Sequence, residues 1–133
     1  MMAPSGLMST NVTLYKQLPY DPLADFIPIA LIARTPFVLV VNPSLPVHSL
    51  KELLQYAKSN PGKLSYGAGT STAHVSGETF NRIAGIDVLR VPYKSAPPAL
   101  TDVMSGNIDY TFIDVGTGLP HVRAGRVKPI VST

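Results

Sequence analysis

The chain has 133 residues, 45% of them hydrophobic and 14% charged, a globular balance that excludes an intrinsically disordered protein. Eleven basic and eight acidic residues give a net charge of +3 with no run of Lys or Arg, so nucleic acid is not expected as a partner. There is no cysteine, which excludes disulfides, thiolate catalysis and Cys-based zinc or iron–sulfur sites.

The opening residues, Met1-Met2-Ala3-Pro4-Ser5-Gly6, lack the basic and apolar regions of a secretory signal, so no export signal is expected in the sequence as it stands. No apolar run is long enough to span a membrane. Ser9-Thr10-Asn11 and Pro19-Tyr20-Asp21-Pro22 read as loop or turn, with one helical turn around 12–17. Residues 26–33 are dense in Ile, Ala and Leu, and Pro28 makes them an edge strand or a bent one. Residues 37–41 are a continuous apolar strand, as burial on both faces requires.

Ser49 and Glu52 form a capping box that opens a helix with Leu50, Leu53, Leu54 and Ala57 on one face, ended by Asn60-Pro61-Gly62. A short strand at 63–66 leads into the small-residue loop 67–72 and a helix over 73–84, with Gly85 as its C-cap. A strand at 88–91, a helix from Pro97 to about Gly106, and a strand at 108–113 follow. Residues 114–118 are expected as a loop, 119–124 as a short helix, and 127–132 as a further strand. This alternation predicts an α/β fold with a mostly parallel sheet flanked by helices.

In such sheets ligands bind beyond the carboxyl ends of the strands, where helix N-termini point. Three loops fall there. In the first, Gly69 lets backbone amides approach a ligand, and Thr70, Ser71 and Thr72 add hydroxyls at a helix N-terminus, an environment that fits a carboxylate. The alternative for each hydroxyl is a helix cap without ligand contact. His74 either donates to a ligand or makes an i,i+4 contact with Glu78. In the second loop, Tyr93 and Lys94 reach a ligand, or Tyr93 is a packed wall residue with Lys94 in solvent. In the third, Asp114 holds a ligand amino or hydroxyl group beside Thr117, or caps the helix that follows.

Catalysis has no comparable support. His48, His74 and His121 lie far apart with no metal spacing, no Gly-x-Ser-x-Gly elbow occurs, and Asp102 and Asp109 do not form a facing pair. No enzyme, metal or cofactor is expected.

Several stretches, in order and near the right spacing, carry a family resemblance. They are 14–22 (Leu-Tyr-Lys-Gln-Leu-Pro-Tyr-Asp-Pro), 25–29 (Asp-Phe-Ile-Pro-Ile), 40–44 (Val-Val-Asn-Pro-Ser), 63–67 (Lys-Leu-Ser-Tyr-Gly), Gly77-Glu78, 91–94 (Val-Pro-Tyr-Lys), 118–120 (Gly-Leu-Pro) and 124–127 (Ala-Gly-Arg-Val). On these the chain resembles the Bug, or TctC-like, receptors of tripartite tricarboxylate transport. The resemblance implies a periplasmic solute-binding protein of type 2 periplasmic-binding-protein-like fold that holds a small carboxylate in an interlobe cleft and delivers it to membrane transporter subunits.

The resemblance also implies domains: 1–36 as first-lobe remnant and crossing segment, 37–124 as the second lobe, and 125–133 as a return strand toward the first. It puts the 70–74 and 114–117 loops on the second lobe's side of the cleft, and Ser5, with Thr10 and Asn11, at a first-lobe strand end. Ser95 stands where the family often has glycine. The family's opening strand and its C-terminal part are not among the 133 residues. The alternative is therefore a truncated lobe without ligand that self-associates, as a homodimer, through exposed sheet edges.

Overall fold

A computed structural model of the chain describes residues 6–132. They divide into two units, with the boundary between Arg34 and Thr35. In the first, Gly6–Thr10 form a π-helical turn that runs into a four-residue helix, α1 (Asn11–Leu14). The expected turn at 19–22 is present: the Asp21 carboxylate accepts from the Leu23 and Ala24 amides at 2.8 and 3.2 Å. The Tyr20 ring meets Phe26 edge-on at 5.9 Å. The strand expected over 26–33 does not form. Pro28 removes a ladder donor from its middle, and among the described residues no strand pairs with it.

The second unit is a five-stranded sheet, β1 (Phe37–Val41), β2 (Leu64–Ala68), β3 (Val88–Pro92), β4 (Tyr110–Asp114) and β5 (Lys128–Ser132), in the spatial order β3-β2-β4-β1-β5. β2 pairs in parallel with β3 and with β4. β1 runs against both β4 and β5, so the α/β sheet is mixed where a mostly parallel one was expected. An apolar run encodes burial but not strand direction, which is why the reversal left no trace in the pattern. β5 lies on the edge, with Pro129 beside a register shift opposite Leu39 and Val40.

Helices α2 (Leu50–Ser59), α3 (Ser71–Ala84), α4 (Ala96–Ser105) and α5 (Val115–Arg123) join the strands. Leu39 and Val41 of β1 belong to one apolar cluster, with Leu53 and Ala57 of α2 and Ala73 of α3. Val40 belongs to the other, with Leu100 and Val103 of α4. Leu39, Val40 and Val41 are all fully buried, so the expectation of burial on both faces holds. Each such side chain contributes about 1.5–3 kcal/mol. The capping box also forms: the Ser49 hydroxyl accepts from the Glu52 amide at 3.2 Å, and the Glu52 carboxylate accepts from the His48 amide at 2.7 Å. Gly85 and Gly106 end α3 and α4 in the left-handed conformation, with φ of 61° and 81°.

α3 sits closest to the sheet. Tyr66 and Tyr110 are register partners on β2 and β4, and their rings stack at 5.6 Å with 18° between planes. Gly77 lies over Tyr66, and a Cβ there would fall 2.2 Å from the ring. On the same helix, Glu78 accepts from the Tyr66 hydroxyl at 2.7 Å and Asn81 from the Tyr110 hydroxyl at 2.5 Å. Burial, and then the Glu78 hydrogen bond, push the Tyr66 hydroxyl well above its ordinary value; burial does the same for Tyr110.

Two outcomes follow for stability. Gly77→Ala gains up to about 1 kcal/mol of helix propensity but forces a methyl into a pinned, buried ring, an overpacking cost of about 1–3 kcal/mol; urea denaturation should show net destabilisation. Raised tyrosine values contribute stability that is complete below about pH 10 and is lost as pH climbs, because the unfolded chain then releases protons that the folded chain retains. The urea midpoint should therefore fall between pH 10 and 11.5, and fall less steeply in Tyr66→Phe; a flat profile in the unmodified chain contradicts this.

Candidate ligand site at the sheet edge

Because β2, β3 and β4 run in one direction, α3, α4 and α5 all begin at the same edge of the sheet. The three sequence-predicted loops are therefore brought to one side. The first two touch. The Tyr93 amide donates to the Ala68 carbonyl at 3.0 Å, and a Cβ on Gly69 would fall 2.2 Å from the Ser95 carbonyl oxygen. Gly69 is needed because this close backbone approach leaves no room for a side chain. β4 adjoins β2 through Tyr66–Tyr110 and Gly67–Thr111, so Asp114 lies on the neighbouring strand end.

Thr70 is the N-cap of α3, its hydroxyl accepting from the Ala73 amide at 3.1 Å. Its oxygen is thus committed to the helix. Ser71 and Thr72 occupy the first turn, half-buried, and their amides precede the first intrahelical bond, from the His74 amide to the Thr70 carbonyl at 2.9 Å. The positive end of a 14-residue helix is aimed at this spot. His74 is turned along the helix, its Nε2 3.9 Å from the Glu78 carboxylate, which also lies 3.6 Å from the Arg90 Nε. The i,i+4 contact is thus the one that forms.

Tyr93 is a half-buried wall residue in the cluster with Leu100 and Val103. Its hydroxyl donates to the Asp102 carboxylate at 2.5 Å; burial and that hydrogen bond push it up to about 12. The bonds from Tyr93 and Asn107 hold the Asp102 carboxyl below its usual range.

At Asp114 the structure departs from the expected loop at 114–118. The helix begins at Val115, and the Asp114 carboxylate caps it, accepting from the Thr117 amide at 2.8 Å. Gly116 and Gly118 read as loop formers, but a side chain at 118 would meet Ile113 at 2.9 Å, and glycine lets that first turn lie on β4. The Val115 amide is taken by the Pro36 carbonyl at 3.1 Å. One Asp114 carboxylate oxygen carries no hydrogen bond among the described residues.

Ser5 lies outside the described residues. Thr10 closes the π-helical turn and Asn11 opens α1, so neither ends a strand. Ser95, which was not among the expected site residues, is the N-cap of α4 beside Gly69. The Ser-Ala-Pro-Pro order marked that position, since prolines favour the first turn of a helix.

A groove of about 680 Å³ opens elsewhere, between α2 and α3, lined by Leu54, Phe80 and Phe112 among others, and none of the expected site residues borders it. Among the described residues no group of His, Asp or Glu side chains is arranged to hold a metal ion, and no helix is long and apolar enough to cross a membrane.

A sheet whose parallel strands all run into helix N-termini at one edge, β2 and β3 through small polar turns and β4 directly, defines an α/β lobe of the kind that solute-binding proteins use. The chain belongs to the tripartite tricarboxylate transporter family receptors, TctC, whose family model matches residues 2–133. Rpa4515 of R. palustris, solved with adipate, is 38% identical, with a TM-score of 0.85 over 90% of this chain and 40% of that one. MatC from Rhodopseudomonas palustris, solved with bound malate, is 29% identical, with a TM-score of 0.85 over 96% of this chain and 44% of that one. The periplasmic binding protein BugD is 28% identical, with a TM-score of 0.88 over 95% of this chain and 43% of that one. These relatives are periplasmic substrate-binding receptors of transporters, not enzymes. The chain spans well under half the length of the curated relatives and of the solved structures that it matches.

Thr70→Ala removes the α3 cap and should cost about 1 kcal/mol in chemical denaturation. Gly69→Ala should cost more, because the atom it meets is backbone that cannot swing aside.

Proposed function

We propose that this chain supplies one wall of a cleft in which a small carboxylate is bound, within a periplasmic receptor that delivers it to membrane transporter subunits. The observation that carries this reading is the meeting of the α3 and α4 N-termini at one sheet edge, with Gly69 in backbone contact with Ser95. Amides at residues 71 and 72 and the hydroxyls of Ser71 and Thr72 suit a carboxylate there. Gly69 holds the loops together, Thr70 fixes the helix end, and His74 and Tyr93 line the wall through their Glu78 and Asp102 contacts.

Asp114 has the opposite preference. A carboxylate at the start of α5 repels an anion, and its oxygen that carries no hydrogen bond among the described residues favours a hydroxyl or an ammonium group on the ligand, with Thr117 alongside. The favoured ligand therefore carries a carboxylate at one point and a hydrogen-bond donor a few ångströms away. That adipate and malate occupy two relatives supports the carboxylate part of the reading. The domain division at 1–36, 37–124 and 125–133, and the place of Ser5 on the facing lobe, belong to the same proposal.

The test is thermal melting with adipate or malate, against the corresponding neutral diamides. A dicarboxylate at a hundred times its Kd stabilises by about 2.7 kcal/mol, and the shift should shrink with added salt. Equal shifts with diamides, or none with any of a set of small carboxylates, would remove the reading.

A further inference from the structure

Four helices of the second unit, α2 to α5, begin with a residue whose side chain is able to cap. Ser49, Thr70 and Asp114 each accept from the amide three residues on, at 3.2, 3.1 and 2.8 Å. Ser95 does not, although its extended backbone (φ −159°, ψ 170°) resembles that of Ser49 (−144°, 160°) and Thr70 (−143°, 160°). The reason lies in the sequence. An N-cap hydroxyl accepts from the second or third helical amide. In α4 those residues are Pro97 and Pro98, which have no N–H. The Ser95 hydroxyl is exposed and has no hydrogen-bond partner among the described residues. Its own carbonyl is packed on Gly69, so it sits beside the loop that opens α3.

We propose that Ser95 is a ligand-binding residue of this site: barred from capping α4 by Pro97 and Pro98, its hydroxyl is left to donate a hydrogen bond to a ligand carboxylate lying against the Gly69–Thr72 loop. This rests on the carboxylate-binding reading above. The two proline positions keep the helix start rigid while withholding the amides that would otherwise occupy the hydroxyl. A serine here thus costs α4 no cap when it turns to a ligand, unlike Thr70, whose oxygen is already in use.

Calorimetric titration of adipate into the 133-residue chain, with melting temperatures measured alongside, tests the assignment. Ser95→Ala should weaken adipate binding roughly tenfold or more, the loss of one hydrogen bond to a charged group, while leaving the melting temperature of the free chain unchanged. Pro98→Ala restores an amide at the third helical position. It should draw the Ser95 hydroxyl into the helix, raise the melting temperature and weaken adipate binding, and it should have no further effect on binding when added to Ser95→Ala. Adipate binding that survives Ser95→Ala overturns the assignment and leaves the carboxylate reading standing. A drop in the melting temperature of free Ser95→Ala, of the size seen for Thr70→Ala, assigns the hydroxyl a structural role and also overturns it. Failure of the unmodified chain to bind adipate, malate or any other small carboxylate overturns both.

Discussion

The close seat of α3 on the stacked Tyr66–Tyr110 pair is the contact on which the rest of the second unit depends. Gly77 removes the side chain that would hold the helix off the rings, and Glu78 and Asn81 receive the two hydroxyls. Two buried phenols would each cost several kcal/mol if left without partners. Their pairing with one helix therefore fixes that helix's rotation and height on the sheet. Strands β2 and β4, which carry the rings, also lead directly to Gly69 and Asp114. Core and sheet edge are thus set by the same residues. The opposite edge is closed separately, where the Asp109 carboxylate takes both the amide and the hydroxyl of Ser65, at 2.7 and 3.0 Å. There the buried Asn42 bridges β1 to the Val103 carbonyl of α4 at 2.5 Å.

That arrangement leaves the edge where α3, α4 and α5 begin with a mixed electrostatic character. Helix ends and amides make it positive near residues 70–72, and Asp114 makes it negative one strand away. The proposed site would distinguish ligands by the spacing of an acceptor and a donor rather than by charge alone. Membership of the tripartite tricarboxylate transporter receptor family fits such a lobe, and two solved relatives of that fold hold adipate and malate.

Much of this was legible in the residues. The apolar run at 37–41, the Ser49–Glu52 capping box and Gly85 each act through local chemistry, and all three form as read. The β2, β3 and β4 segments were placed within two residues, and the polar turns after β2 and β3 were found from composition, whereas the loop expected after β4 is the first turn of α5. What failed depends on distant partners. The reversed direction of β1 is decided by β4 and β5, which lie far along the chain. Residues 26–33 are apolar enough for a strand but have no ladder to join among the described residues. The start of α5 was misread because glycines at 116 and 118 signal loop locally, whereas the close packing of the helix on Ile113 favours Gly118 there. Ser95 was passed over because the role proposed for it rests on the amides that Pro97 and Pro98 withhold.

Whether a carboxylate binds where α3 and α4 begin is decided most directly by amide NMR of the 15N-labelled chain during titration with malate. The amides of residues 69–72 and 95–96 should shift together along one saturation curve, with residues 114–117 following and an affinity that weakens with salt. Shifts confined to the groove between α2 and α3, around Leu54 and Phe80, or spread without saturation over the surface, would contradict the account.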